Sequence, residues 1–134
     1  MQVLIDTHIL IWTLLNDKRL SKKAREIIEN PENDIYYSTA SIWEIGIKHQ
    51  KNPTLIPYTS KEISDACLEA GIINLPIFDK HIIQLDKINK LENTPIHKDP
   101  FELLMLAQAK RSYLFFMTHD HTFEYYDENN IILV

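Results

Sequence analysis

The chain alternates short, unbroken apolar runs with longer stretches in which apolar residues recur at helical spacing. Val3-Leu4-Ile5 is such a run and predicts a buried strand, and the strongly apolar Thr7 to Leu15 predicts a helix leading away from it. Ser21 is a candidate N-cap for a helix over Lys22 to Glu29, where Ala24, Ile27 and Ile28 make one apolar stripe. Ile35 to Thr39, β-branched and aromatic, predicts a strand. Ala40 to His49 predicts a helix with Ile42, Ile45 and Ile47 toward the core. Ser60 is expected to cap a further helix to about Ala70, closed by Gly71. Ile72 to Ile77 predicts a strand, Asp79 to Ile88 a helix, and Asp99-Pro100 the start of a helix running to about Lys110. Leu114 to Met117 and Ile131 to Val134 complete the strands.

Strands that are continuous apolar runs, and that alternate with helices, argue an α/β fold: a mainly parallel sheet with helices on both faces. In open sheets of this kind the ligand site lies outside the carboxyl ends of the strands. Carboxylates collect at those ends. Asp6 follows the first strand directly, Glu44 lies one helical turn beyond the second, and Asp120 follows Leu114 to Thr118 by one residue. Asp99 and Glu102 open the helix before that strand. Each has a plainer reading. Asp6 and Asp120 are candidate helix caps, and Asp99-Pro100-Phe101-Glu102 has the form of a capping box. Glu44 is harder to explain so, since it stands among Ile42, Trp43 and Ile45 and needs a partner there. Taken jointly, four or five acids at one sheet edge must hold protons or cations at neutral pH. Oxygen donors without cysteine suit Mg²⁺ or Mn²⁺, the ions with which metal nucleases work on phosphates.

Composition narrows the field further. The chain has 134 residues, 45% hydrophobic and 25% charged, which is the make-up of one ordinary globular domain over residues 1–134. Two glycines, Gly46 and Gly71, leave no room for a P-loop, a dinucleotide-binding turn or a G-x-S-x-G elbow. Cys67 is the single cysteine, so neither an intramolecular disulfide nor a cysteine-rich zinc site can form. The opening residues lack a basic n-region, and Asp6 and His8 interrupt the apolar run; the expectation is no signal peptide, no membrane contact and a cytoplasmic protein. The formal charge of −5 argues against a nucleic-acid partner, but Asp6, Glu44, Glu102 and Asp120 account for all but one of those charges. Lys18, Arg19, Lys22, Lys23 and Arg25 form one basic cluster and Lys48, His49 and Lys51 a second; each is a candidate for phosphate contacts or simply a solvated helix face.

Four stretches together carry a resemblance. They are Val3-Leu-Ile-Asp6-Thr-His-Ile-Leu-Ile-Trp12, Ser38-Thr-Ala-Ser-Ile-Trp43-Glu44-Ile45, Ile96-His97-Lys-Asp99-Pro-Phe-Glu102-Leu-Leu-Met-Leu-Ala107-Gln108-Ala109, and Met117-Thr118-His-Asp120. In this order they resemble the PIN domain, and within it the VapC-type toxins of bacterial toxin–antitoxin pairs. The resemblance implies a three-layer α/β/α sandwich and a metal-dependent endoribonuclease using Mg²⁺ or Mn²⁺. It also implies an RNA substrate and a cognate antitoxin. The family's acidic site carries over to Asp6, Glu44, the Asp99/Glu102 segment and Asp120, with Thr118 as its hydroxyl residue. Related sequences usually read Asp-Pro-Phe-Asp-Arg where this one has Asp99-Pro100-Phe101-Glu102-Leu103. The carboxylate survives one methylene longer, the arginine is gone, and Asp99 and Glu102 both stand as candidates for the main ligand.

Other residues carry weaker signals. His8, His97, His119 and His121 lie beside candidate acids and are possible zinc or manganese ligands, though most histidines in such places only hydrogen-bond. Trp12 and Trp43 are expected in the core, and Cys67 is expected to be an inert core residue. Tyr125 and Tyr126 are candidates for an exposed interface. The apolar Ile9, Leu10, Trp12 and Leu14 exceed what one buried stripe needs; a homodimer, an antitoxin groove and a fully buried helix all account for them. Two other functions compete. In one, Glu102 and Leu103 mark a weakened site, and the chain binds an antitoxin or RNA without cutting. The other, phosphoryl transfer through an aspartyl phosphate, fits poorly, because Asp6-Thr7-His8 lacks the second acid of a D-x-D.

Overall fold

The computed structural model describes every residue except Lys98. Strands β1 (Gln2–Ile5), β2 (Asp34–Ser38), β3 (Ile73–Leu75), β4 (Phe115–Thr118) and β5 (Ile131–Leu133) form one sheet in the order β3-β2-β1-β4-β5. All four pairings are parallel. Between the strands run α1 (Thr7–Leu14), α2 (Lys22–Glu29), α3 (Thr39–Lys51), α4 (Ser60–Ala70), α5 (Asp79–Gln84) and α6 (Pro100–Arg111).

The period of two along each strand sorts these elements into three layers. Val3, Ile5, Ile35, Tyr37 and Met117 face one way and pack with Ile9 and Leu10 of α1, Ala24 of α2, and Ile63 and Cys67 of α4. Leu4 and Phe116, which pair in register, face the other way against Leu104, Met105, Leu106 and Ala109 of α6 and against Phe123 and Tyr126. Helix α3 touches both cores, with Ala40 in one and Ile45 in the other. The expected α/β sandwich with a parallel central sheet is therefore the fold. From β1 the chain builds outward through β2 to β3, then crosses to the far side of β1 to lay down β4 and β5. The direction of winding changes between β1 and β4, the point at which open sheets of this kind bind ligands, outside the carboxyl ends of the strands. Among the described residues no helix is long and apolar enough to cross a membrane.

Several expectations shift. Thr59, not Ser60, caps α4, because a capping box needs an acid three residues on: the Thr59 hydroxyl accepts from the Glu62 amide at 3.1 Å, and Glu62 Oε1 accepts from the Thr59 amide at 3.3 Å. Ser60 is instead used between helices, donating to the Ile42 carbonyl at 3.2 Å directly over Gly46. Strand β3 stops at Leu75, since Pro76 has no N–H to extend the ladder and Gln108 takes both the Leu75 and Pro76 carbonyls. Helix α5 ends at Gln84, and Leu85–Lys87 continues as a 3₁₀ turn. Trp43 is not in the core: it is 61% exposed and meets the Phe101 ring edge-on at 5.1 Å, because α3 spends its buried faces on Ser41, Glu44 and Ile45. Tyr125 is exposed as expected, whereas Tyr126 is buried. Of the apolar surplus of α1, Ile9, Leu10 and Trp12 are buried and Leu14 is partly buried against the same core. Cys67 is buried as expected, and burial pushes its thiol up to about 11.

Candidate active site

Asp6 leaves β1 and caps α1, which fixes its carboxylate in place. Oδ1 accepts from the Ile9 amide at 2.8 Å, and Oδ2 accepts from the Thr118 hydroxyl of β4 at 2.5 Å. At 1% exposure, burial raises its pKa; the Ile9 amide, the Thr118 hydroxyl, His8 and His119 pull the other way and are outweighed. The capping reading and the site reading of Asp6 are thus both satisfied, one by each oxygen. Thr118 Oγ1 in turn accepts from the Asp120 amide at 3.0 Å, tying the last acid to the same strand end.

Asp120 caps the short 3₁₀ turn His121–Tyr125. Its Oδ1 accepts from the Thr122 amide at 3.0 Å and the Thr122 hydroxyl at 2.7 Å. Desolvation opposes its ionisation, but hydrogen bonds from Glu102 and Thr122 and the nearby His97 hold its pKa below the usual range. Glu102 sits in the first turn of α6, yet it forms no capping box there. The Asp99 carboxylate alone caps the helix, accepting from the amides of Phe101 at 2.9 Å and Glu102 at 3.3 Å. Freed from that duty, the Glu102 side chain turns inward, 7% exposed. Burial, the hydrogen bond to Asp120, and the charges of Asp120, Asp99 and Asp6 push its pKa up to about 9. Its Oε2 also meets His97 Nε2 at 3.0 Å. Of the two candidates in this segment, the chain brings Glu102 to Asp120 and commits Asp99 to the helix.

His97 completes the group. Its Nε2 lies 3.0 Å from Glu102 Oε2 and 3.9 Å from Asp120 Oδ2. One ligand atom each from His97, Glu102 and Asp120 lie within 4.8 Å of one another, close enough to share an ion. The sequence placed His97 beside an acid but gave no reason to separate it from His8, His119 and His121. The distinguishing signal is its position just ahead of the α6 cap, where one segment carries both imidazole and carboxylate inward.

Glu44 is buried beside this group rather than in it. Oε1 accepts from the Thr7 hydroxyl at 2.7 Å, and Oε2 forms an ion pair with Lys48 one turn along α3. The Glu44–Lys48 spacing of four was legible in the sequence, where Lys48 stood only as part of a basic cluster. Thr7 also hydrogen-bonds Ser41 at 2.8 Å, so α1 and α3 are pinned together right after Asp6. On the opposite flank His8 and His119, both exposed, stack at 6.0 Å, with Trp12 edge-on to His119 at 4.7 Å and Arg19 over the Trp12 ring at 5.4 Å.

The sequence description of the PIN domain matches residues 3–129 of the chain. No curated protein matches it. Among solved structures it is similar to that of VapBC2 from Rickettsia felis bound to a DNA fragment from their promoter, with a TM-score of 0.67 and 16% identity over 100% of this chain and 98% of that one. At that identity the likeness is one of fold.

Proposed function

The chain belongs to the PIN domain family, and on that premise we propose that it is a metal-dependent endoribonuclease of the VapC toxin type, with the whole of residues 1–134 acting as one such domain. One observation carries this reading: the buried Glu102 and Asp120 bring carboxylate oxygens within 4.8 Å of each other, where burial and the charges of Asp120, Asp99 and Asp6 push the Glu102 pKa up. Among the described residues no lysine or arginine pairs with Asp6, Glu102 or Asp120. Acids packed this way and left without a protein cation fit a site whose missing charge is a divalent ion.

Asp6, Glu102 and Asp120 are the residues assigned to hold Mg²⁺ or Mn²⁺, with Glu44 beside them. A bound ion supplies charge for the phosphodiester oxygens and lowers the pKa of a water at the site. The rest is work for the protein. The Ile9 amide and Thr118 hydroxyl orient both oxygens of Asp6, and Thr122 orients Asp120. Glu102 would offer its carboxylate to the ion. Glu44, neutralised by Lys48, holds the start of α1 through Thr7 and keeps Asp6 in register. Asp99 supports the site by capping the helix that carries Glu102. The partners of this reading are an RNA substrate, a cognate antitoxin and a second copy of the chain, in the cytoplasm; the antitoxin is supported by the solved neighbour, a VapBC2 assembly on promoter DNA.

The test is cleavage of a mixed tRNA and mRNA pool with Mn²⁺, Mg²⁺ or EDTA. Wild type is expected to cut only with metal, and Asp6→Asn to lose at least about a hundredfold in rate while staying folded. Asn keeps an acceptor for Ile9 or Thr118 but removes the charge. Metal-bound yet inactive wild type would favour a binding module, with Glu102→Asp as the first change to restore activity. Full activity in Asp6→Asn would end the nuclease assignment at this site.

A further inference from the structure

We propose that His97 is itself a metal ligand, through Nε2, so that this site holds an ion with mixed nitrogen and oxygen donors and prefers Mn²⁺ to Mg²⁺. The inference rests on the metal-site reading above and goes beyond its set of carboxylates.

Geometry is the first support. Ligands about 2.1 Å from a shared octahedral ion stand about 3.0 Å apart at right angles and about 4.2 Å apart across it. His97 Nε2 lies 3.0 Å from Glu102 Oε2 and 3.9 Å from Asp120 Oδ2, inside that range. The imidazole is also held as a ligand is held. Its side chain is 4% exposed, wedged against the rings of Phe123 at 4.8 Å and Tyr126 at 5.8 Å. Its far nitrogen, Nδ1, faces the Thr122 hydroxyl at 3.5 Å, so Nε2 is the atom turned to the acids. A partner on the far nitrogen is how proteins fix the orientation of a ligating histidine.

The second support is independent. The Tyr126 hydroxyl is buried, at 6% residue exposure, and has no hydrogen-bond partner among the described residues. Its ring stands edge-on to His97 at 5.8 Å, which puts it at the edge of the same group. A buried hydroxyl without a protein partner calls for a group that is not protein. A water completing the shell of an ion between His97, Glu102 and Asp120 meets that need. The chemical preference follows from the donor set: Mg²⁺ is a hard ion that keeps to oxygen ligands, whereas Mn²⁺ opens the first-row series whose affinity for nitrogen-containing sites rises along the row.

The test is spin-echo electron resonance of the full chain loaded with Mn²⁺, with affinities measured by titration. Wild type is expected to show modulation from a directly bound nitrogen. A variant with both His8→Gln and His119→Gln should keep it, because those rings lie outside the group. His97→Gln should lose it and weaken Mn²⁺ binding by about 10–100-fold while affecting Mg²⁺ less. Mn²⁺ bound without nitrogen modulation, or modulation that survives His97→Gln, overturns the assignment of His97 and leaves the carboxylate site standing. Failure of wild type to bind Mn²⁺ at all overturns both. Should His97→Gln not fold, the wild-type spectrum and that of a variant with His8, His119 and His121 all changed to Gln decide.

Discussion

A carboxyl group enclosed with other acids keeps its proton until a cation takes its place, and Glu102 is held that way. Folded, it stays protonated to about pH 9; unfolded, it ionises near its ordinary value of about 4.3. Between those values the folded chain binds more protons, so the stability of the metal-free protein falls as pH rises from about 5 to about 9. Calorimetry without metal should show the melting temperature falling over that range. Glu102→Gln, which keeps a donor toward Asp120 and cannot ionise, should flatten the decline. A wild-type curve that climbs instead would mean that Glu102 is not enclosed as described. At this scale the sequence was informative where a residue's position follows from the residue before it. Asp6 and Asp120 were legible because each follows a strand that had to be buried. The roles of Asp99 and Glu102 were not, because a local motif allows both to cap, and only the burial of one face of α6 turns Glu102 inward.

Between elements, the pairing of α3 with α4 shows how little the local code says about contact. Gly46 lies where a Cβ would stand 2.3 Å from Ser60 Oγ, and that hydroxyl holds the Ile42 carbonyl. The obstacle is the end of one small side chain, so alanine at position 46 must displace it and break its hydrogen bond. Gly46→Ala alone is expected to change stability by less than about 1 kcal/mol, since the gain in helix propensity offsets the lost contact. Made on top of Ser60→Ala, the same change is expected to stabilise by about 1 kcal/mol. Urea unfolding of the four-member cycle measures both numbers, and equal effects in the two backgrounds would refute the coupling. Ser60 had the right residue type for a cap, but Glu62 stands three residues from Thr59, and that distance decides the cap. Trp43 shows the same limit. An aromatic residue amid isoleucines reads as core, and the angle at which α3 crosses both layers puts it outside.

Over the whole molecule, acids drawn from both ends of the chain gather at the carboxyl ends of β1 and β4. Asp6 and Thr118 are hydrogen-bonded although 112 residues separate them. A metal bound there ties the β1 end to the β4 end and must stabilise the fold by linkage. At an ion concentration about a hundredfold above its dissociation constant the gain is about 2.7 kcal/mol, or roughly 10 °C in melting temperature for a chain of this length. Thermal melts with Mn²⁺ and then EDTA should show that gain appear and vanish, and Asp6→Asn should lose most of it. No shift in wild type would count against any ion at these strand ends. By itself the sequence determined the parallel sheet, the order of its elements and the acids at the strand ends, because continuous apolar runs and strand-end positions are local properties. The tertiary structure alone decided which acids meet, that Lys48 neutralises Glu44, and that His97 and Tyr126 enclose Glu102 and Asp120. Those outcomes depend on how α3, α6 and the 3₁₀ turn after β4 pack over the two faces of the sheet, and packing between distant segments is set by the shape of the assembled core.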